Sequence, residues 1–104
     1  MSLEWQGLKG EGSMPLQFGD ASRGWDATLK AVIFPAKDGN QPVRCIVGAE
    51  ALAEHFGMAK AEELDALRAF DRSRPVIEAA AARKYDRWKL AGSGEVSLRK
   101  RDFG

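Results

Sequence analysis

The sequence predicts an α+β domain: a mainly antiparallel four-stranded sheet, with elements in the order β-β-β-α-α-β and two helices packed on one face. Three observations predict it. Two runs rich in β-branched and apolar residues flank Asp38-Gly39-Asn40, a helical apolar stripe runs from about Ala61 to Trp88, and an alternating segment, Glu95 to Arg101, follows. The strands come mostly in succession and the two helices follow one another, so no βαβ repeat arises and the layers segregate.

Leu16 to Phe18 is a short strand candidate, and the polar stretch Gly19 to Gly24 reads as a loop before Trp25. Thr28 to Phe34 is the second strand, stopped by Pro35, which cannot donate to a ladder. Gly39 and Asn40 accept positive φ, so a hairpin leads into Val43 to Val47. In Ala49 to Phe56, Leu52 and Phe56 share a helical face, and Gly57 sits where a left-handed C-terminal cap belongs. In the long helix, Leu67, Phe70, Ile77, Ala81, Tyr85 and Trp88 fall on one stripe, with Arg68, Arg72, Arg83 and Arg87 opposite. Pro75 could begin a separate helix capped by Ser73, but the stripe keeps its phase across it, which favours one helix kinked at a solvent-facing Pro75. Gly92-Ser93-Gly94 breaks the pattern before a last, half-exposed strand. Residues 1–13, with glycines at 7, 10 and 12, read as a poorly ordered extension, and residues 14–104 as one domain.

Several functional classes fall away. No apolar run approaches the ~20 residues of a membrane span. The opening residues lack a secretory signal pattern, so a cytoplasmic address is expected. One cysteine and one histidine cannot assemble a disulfide framework or a four-ligand zinc site, and no cofactor is expected. The formal net charge of +1 hides a split, because residues 1–67 hold six basic and ten acidic side chains while residues 68–104 hold ten and five. Such a split suits either a basic surface for an acidic partner or two parts of one fold that attract each other.

Each chemistry-bearing residue has an ordinary structural explanation beside the functional one. Cys45 shares its strand phase with Val43 and Val47, which predicts a buried, unreactive thiol rather than a nucleophile paired with His55. His55 itself fits a cap-like or surface position near a helix end. Arg74, at the edge of the stripe, would need a carboxylate such as Asp26, Glu50 or Glu54 if partly buried. Glu62, Glu63 and Asp65 complement the positive end of a helix dipole and call for no metal. Tyr85 and Trp88 belong to the core stripe, whereas Trp25 fits a core plug or a surface anchor equally. The basic set, Arg68, Arg72, Arg83 and Arg87 on the helix with Arg99 and Arg101 on the last strand, could meet phosphates or be a solvated polar face.

The ordered set Leu16-Gln17-Phe18, Trp25-Asp26, Ile33-Phe34-Pro35-Ala36, Gly39, Cys45-Ile46, Ala51-Leu52, His55-Phe56-Gly57, Phe70, Arg74, Ile77-Glu78, Ala81, Val96 and Leu98 resembles the small bacterial family known as domain of unknown function 1488. The resemblance implies a compact α+β fold and a bacterial, intracellular origin, and brings no activity with it. This chain departs from the family pattern in its N-terminal extension and in Pro75. The residues therefore point first to a noncatalytic interaction or regulatory module whose partner is another protein or a second copy, with Trp25 and the six arginines as candidate contacts. The alternative is nucleic-acid binding through the basic helix face and last strand.

Overall fold

The computed structural model describes residues 16–88 and 94–103, so the extension expected over residues 1–13 lies outside the described residues. Four strands, β1 (Gly24–Asp26), β2 (Ala31–Asp38), β3 (Gln41–Gly48) and β4 (Glu95–Leu98), form one sheet in the order β1-β2-β3-β4. Helices α1 (Ala49–Phe56) and α2 (Glu63–Arg87) lie between β3 and β4, and a 3-10 turn (Lys100–Asp102) follows the last strand. The β1–β2 and β2–β3 pairs are antiparallel but β3–β4 is parallel, so the sheet is mixed rather than uniformly antiparallel. A parallel neighbour needs a crossover of a dozen or more residues, and the two helices supply it.

The first strand differs from expectation. Leu16 to Phe18 contributes only an isolated bridge, Gln17 to Lys37, and the first strand is Gly24–Asp26 instead. The β1–β2 turn explains why: Leu29 N–H donates to the Asp26 carboxylate at 2.9 Å, and Lys30 takes a left-handed conformation with φ 53°. That returns the chain antiparallel, with Trp25 opposite Val32. The Lys30 carbonyl then accepts the N–H of Ala49 at 2.9 Å, so this turn satisfies a donor in the first turn of α1.

Pro35 does not stop β2, which runs on to Asp38. Lys37 exchanges both backbone bonds with Gln17, at 2.8 and 2.9 Å, so odd-numbered β2 residues direct their polar groups to the β1 side. β1 reaches only as far as Ile33, and Pro35 falls in the stretch between the two contacts, where no N–H is required. The hairpin closes through Gly39 and Asn40 with Asp38 opposite Gln41, and positive φ at Gly39 (65°) alone of the two is the type II′ pattern.

The alternation of β2 and β3 places Val32, Phe34 and Ala36 with Val43, Cys45 and Val47 on one face, and Val96 and Leu98 of β4 extend it. α2 covers that face with Ala66, Ala69, Phe70, Ile77, Ala80, Ala81 and Tyr85. Phe70 and Phe34 meet ring to ring at 4.9 Å, and Leu29, in the turn before β2, is 52% exposed and outside the core. Gly57 caps α1 with φ 73°, and its N–H bonds back to Leu52.

α2 is continuous through Pro75, whose ring is on the exposed side. The helix has 25 residues and is therefore about 37 Å long, while the eight-residue strands span about 26 Å. At its far end it outruns the sheet, since Tyr85 already bonds Asp38, the last residue of β2, at 2.6 Å, and Trp88 beyond it is 63% exposed. Trp88, expected in the core, is in phase with the stripe but past the sheet.

Candidate functional site

The structure divides the expected arginine stripe into two groups. In the first half of α2, Arg68 is exposed and Arg72 is committed to the fold, since its Nη2 donates to the Phe56 carbonyl at 2.8 Å. Eleven residues further along the helix, roughly 16 Å, Arg83 and Arg87 line a notch of about 150 Å³ together with Arg101, Lys84, Trp88 and Asp102. Arg99 lies elsewhere, lining a groove with Arg44 and Ile46, because the 3-10 turn reverses the chain between Arg99 and Arg101. Trp25 is half-buried on β1 against the core and joins neither group.

Within the notch the charges have different commitments. Lys84 Nζ donates to the Ser97 carbonyl at 2.6 Å and to Asp102 at 3.0 Å. Burial works against the charged form of Asp102, but the N–H of Arg99 at 2.7 Å and the Lys84 ammonium outweigh it and hold the carboxyl below its usual range. Arg83, Arg87 and Arg101 form no ion pair among the described residues, although the charge of Arg101 adds to that of Lys84 in favouring the Asp102 carboxylate, and they line the same notch as the exposed Trp88. The sequence singles out Arg83, Arg87 and Arg101, but its periodicity places Trp88 in the core, so the indole's place beside them was missed. The signal that could have found it is length, since the predicted helix is longer than its strands.

The chemistry-bearing residues elsewhere are tied into the fold. Cys45 is fully buried, as its strand phase predicts, and burial pushes its thiol up to about 12, with the charge of Glu78 adding to the effect. A nucleophilic thiolate is therefore disfavoured. His55 is exposed, with Nε2 3.1 Å from the Lys100 carbonyl and its ring 5.9 Å from that of Phe103. Asp65 accepts the Lys60 N–H at 3.0 Å, as ordinary helix-start geometry. Arg74 does not reach Asp26, Glu50 or Glu54. Its Nε bonds Glu78 at 2.8 Å, one turn along, and Nη1 and Nη2 donate to the carbonyls of Ala21 (2.7 Å), Asp20 (3.0 Å) and Ser22 (3.3 Å). The guanidinium also stands 5.0 Å over the Phe70 ring.

The second surface is the sheet face opposite the helices. Ile33, Pro35 and Ile46 lie there half-buried, out of phase with the core residues of their strands. Ile33 and Pro35 line a groove of about 550 Å³ with Arg44, Arg23 and Asp20, and Ile46 lines a second of about 750 Å³ with Arg44, Glu95 and Arg99. Arg44 and Glu95 are register partners across the parallel pair. Arg23, at the rim, is fixed by a two-point pair with Asp71 at 2.7 and 2.9 Å, and that hydrogen bonding holds the Asp71 carboxyl below its usual range. Among the described residues, no helix is long and apolar enough to cross a membrane and no His, Cys, Asp and Glu side chains are grouped for a metal ion.

Comparison with known proteins agrees with this architecture and adds no activity. A search of curated proteins finds no match. The crystal structure of a protein of unknown function from Shewanella loihica PV-4, itself assigned to the family DUF1488, superposes with a TM-score of 0.66 at 25% identity, over 81% of this chain and 91% of that one. The model of the family described as "Protein of unknown function (DUF1488)" matches residues 16–98, the span that holds the sheet and both helices, and this chain belongs to that family.

Proposed function

We propose that this protein is a noncatalytic interaction module that docks a second copy of itself through the sheet face opposite the helices. The observation that carries the reading is the row Ile33, Pro35 and Ile46, apolar and half-buried on the side that neither helix covers. Contiguous apolar surface of this kind marks interaction sites. The same face carries opposite charges side by side, Arg44 and Glu95, so a two-fold operation sets each against its complement on the other copy. The burial of Cys45 and the engagement of His55 by a backbone carbonyl support a binding rather than a catalytic role.

The size of the face sets the strength. Two eight-residue strands flanked by strands of three and four residues offer roughly 360 Å² a copy, below the ~800 Å² per partner of a standard interface, so the assembly is transient and concentration-dependent. Sedimentation velocity over a range of concentrations tests it. The expected result is a reversible monomer–dimer equilibrium weakened by Ile46→Asp, with the variant's melting temperature little changed. A monomer of 11.4 kDa at every concentration would overturn the reading, as would a dimer indifferent to Ile46→Asp and Arg44→Glu.

A further inference from the structure

The notch at the end of α2 stands apart from the sheet face opposite the helices and goes beyond the docking reading. Its three guanidiniums, none in an ion pair among the described residues, come from two elements, Arg83 and Arg87 one helical turn apart on α2 and Arg101 on the 3-10 turn, where Asp102 offsets part of its charge. Bringing like charges together is unfavourable unless something screens or binds them. Lys84 is oriented away from this role by Ser97 and Asp102, and the same latch fixes the 3-10 turn against α2. Trp88 adds a large exposed aromatic surface to the rim.

From this arrangement we infer that the Trp88–Arg83–Arg87–Arg101 notch is a binding site for single-stranded nucleic acid, with the indole stacking on one base while the guanidiniums hold the flanking phosphates. Duplex bases are stacked and covered, so the aromatic contact is available to a single strand alone. Guanidinium groups suit phosphate oxygens because their donors form a planar fork. An acidic peptide would satisfy the charges but leave the indole without a planar partner, which is why the nucleic acid is the better fit.

The contact is small and the affinity correspondingly modest, in the range of about 10⁻⁴ to 10⁻⁶ M typical of sequence-independent binding. Three phosphates on a single strand give a log–log salt slope of about −2, at ~0.7 per phosphate. Fluorescence anisotropy of a labelled oligothymidylate at several salt concentrations reads both quantities. The expected pattern is that slope, a weakening of roughly 5- to 100-fold for Trp88→Ala, recovery for Trp88→Phe, and loss of binding when Arg83 and Arg87 are both replaced by Glu. These side chains are exposed, and a thermal melt of each variant confirms the fold. Absence of binding at millimolar protein would overturn the inference. So would indifference to Trp88→Ala, or equal affinity for duplex DNA or for polyglutamate, each of which would reduce the notch to a nonspecific charged patch. The outcome is separate from the docking reading, because Ile46→Asp leaves the notch intact.

Discussion

The middle and the far end of α2 carry arginines on similar backbone geometry and use them differently. Near the midpoint, Arg72 and Arg74 are consumed by backbone carbonyls, one at the end of α1 and three in the 20–22 segment that leads into β1. At its far end, Arg83 and Arg87 meet no carboxylate among the described residues and share a notch with Trp88. The difference teaches that a helical repeat of arginines specifies a direction but not a purpose. Purpose depends on whether unsatisfied carbonyls come within reach of the guanidinium, as those of Phe56 and the 20–22 segment do for Arg72 and Arg74.

The largest effect that tests this contrast lies beneath the engaged arginines. Phe70 is fully buried, packs on Phe34 at 4.9 Å and supports the Arg74 guanidinium, so Phe70→Ala is expected to cost about 3 to 5 kcal/mol. Because a domain has a total stability of about 5 to 15 kcal/mol, denaturant unfolding should show a protein close to its folding limit. A midpoint unchanged by the substitution would show that the helix is packed in another phase.

Next in size is Arg74 itself. Arg74→Ala removes charge-assisted hydrogen bonds from a half-buried site and should cost about 2 kcal/mol, whereas Arg83→Ala and Arg87→Ala should each fall within about 0.5 kcal/mol of the parent. Equal losses in the two regions would erase the distinction between structural and available arginines. Arg74→Lys sharpens it, since one ammonium nitrogen cannot span Glu78 and the carbonyls of Asp20, Ala21 and Ser22 as the three nitrogens of the guanidinium do.

The smallest effect comes from acid. The folded-state pKa of Asp102 lies below its unfolded value, so its contribution is fully present above the unfolded pKa of about 4 and is lost as pH falls through the lower folded value. Lys84 then loses its carboxylate while keeping the Ser97 carbonyl. Acid titration of stability should therefore flatten below pH ~4 in Asp102→Asn relative to the parent, and identical titrations would show that the latch is indifferent to charge.

How much of this was legible in the sequence follows the range of the cause. Gly57 and the Asp38-Gly39-Asn40 turn were readable because a left-handed residue acts within a few neighbours. The burial of Cys45 was readable because its alternation with Val43 and Val47 is local. The strand at Gly24–Asp26 was not, because its pairing is fixed by a turn around Lys30 and not by its own apolar content. Pro35 misled for a related reason: a proline ends a strand only if a partner needs its N–H, and none does there. The direction of β4 depends on where a long helix delivers the chain. Arg74 displays the same limit, since its acceptors in the 20–22 segment are main-chain groups that every sequence possesses. The outer face was partly visible, in that Ile46 breaks phase with its neighbours.

The parallel placement of β4 also bears on the order in which the molecule assembles. β2 and β3 close across a two-residue turn, while Arg44 and Glu95, adjacent in the sheet, are 51 positions apart in the chain. Loop-closure entropy favours the short loop, and the parallel strand gains its neighbour only after both helices have brought the chain back. The hairpin is thus expected to form early and β4 to dock last, with Lys84 closing behind it through the Ser97 carbonyl. Pulse-labelling hydrogen exchange would show this as amides of Val43, Cys45 and Val47 protected before those of Arg44, Val96 and Leu98, and simultaneous protection would assign the sheet to a single concerted step.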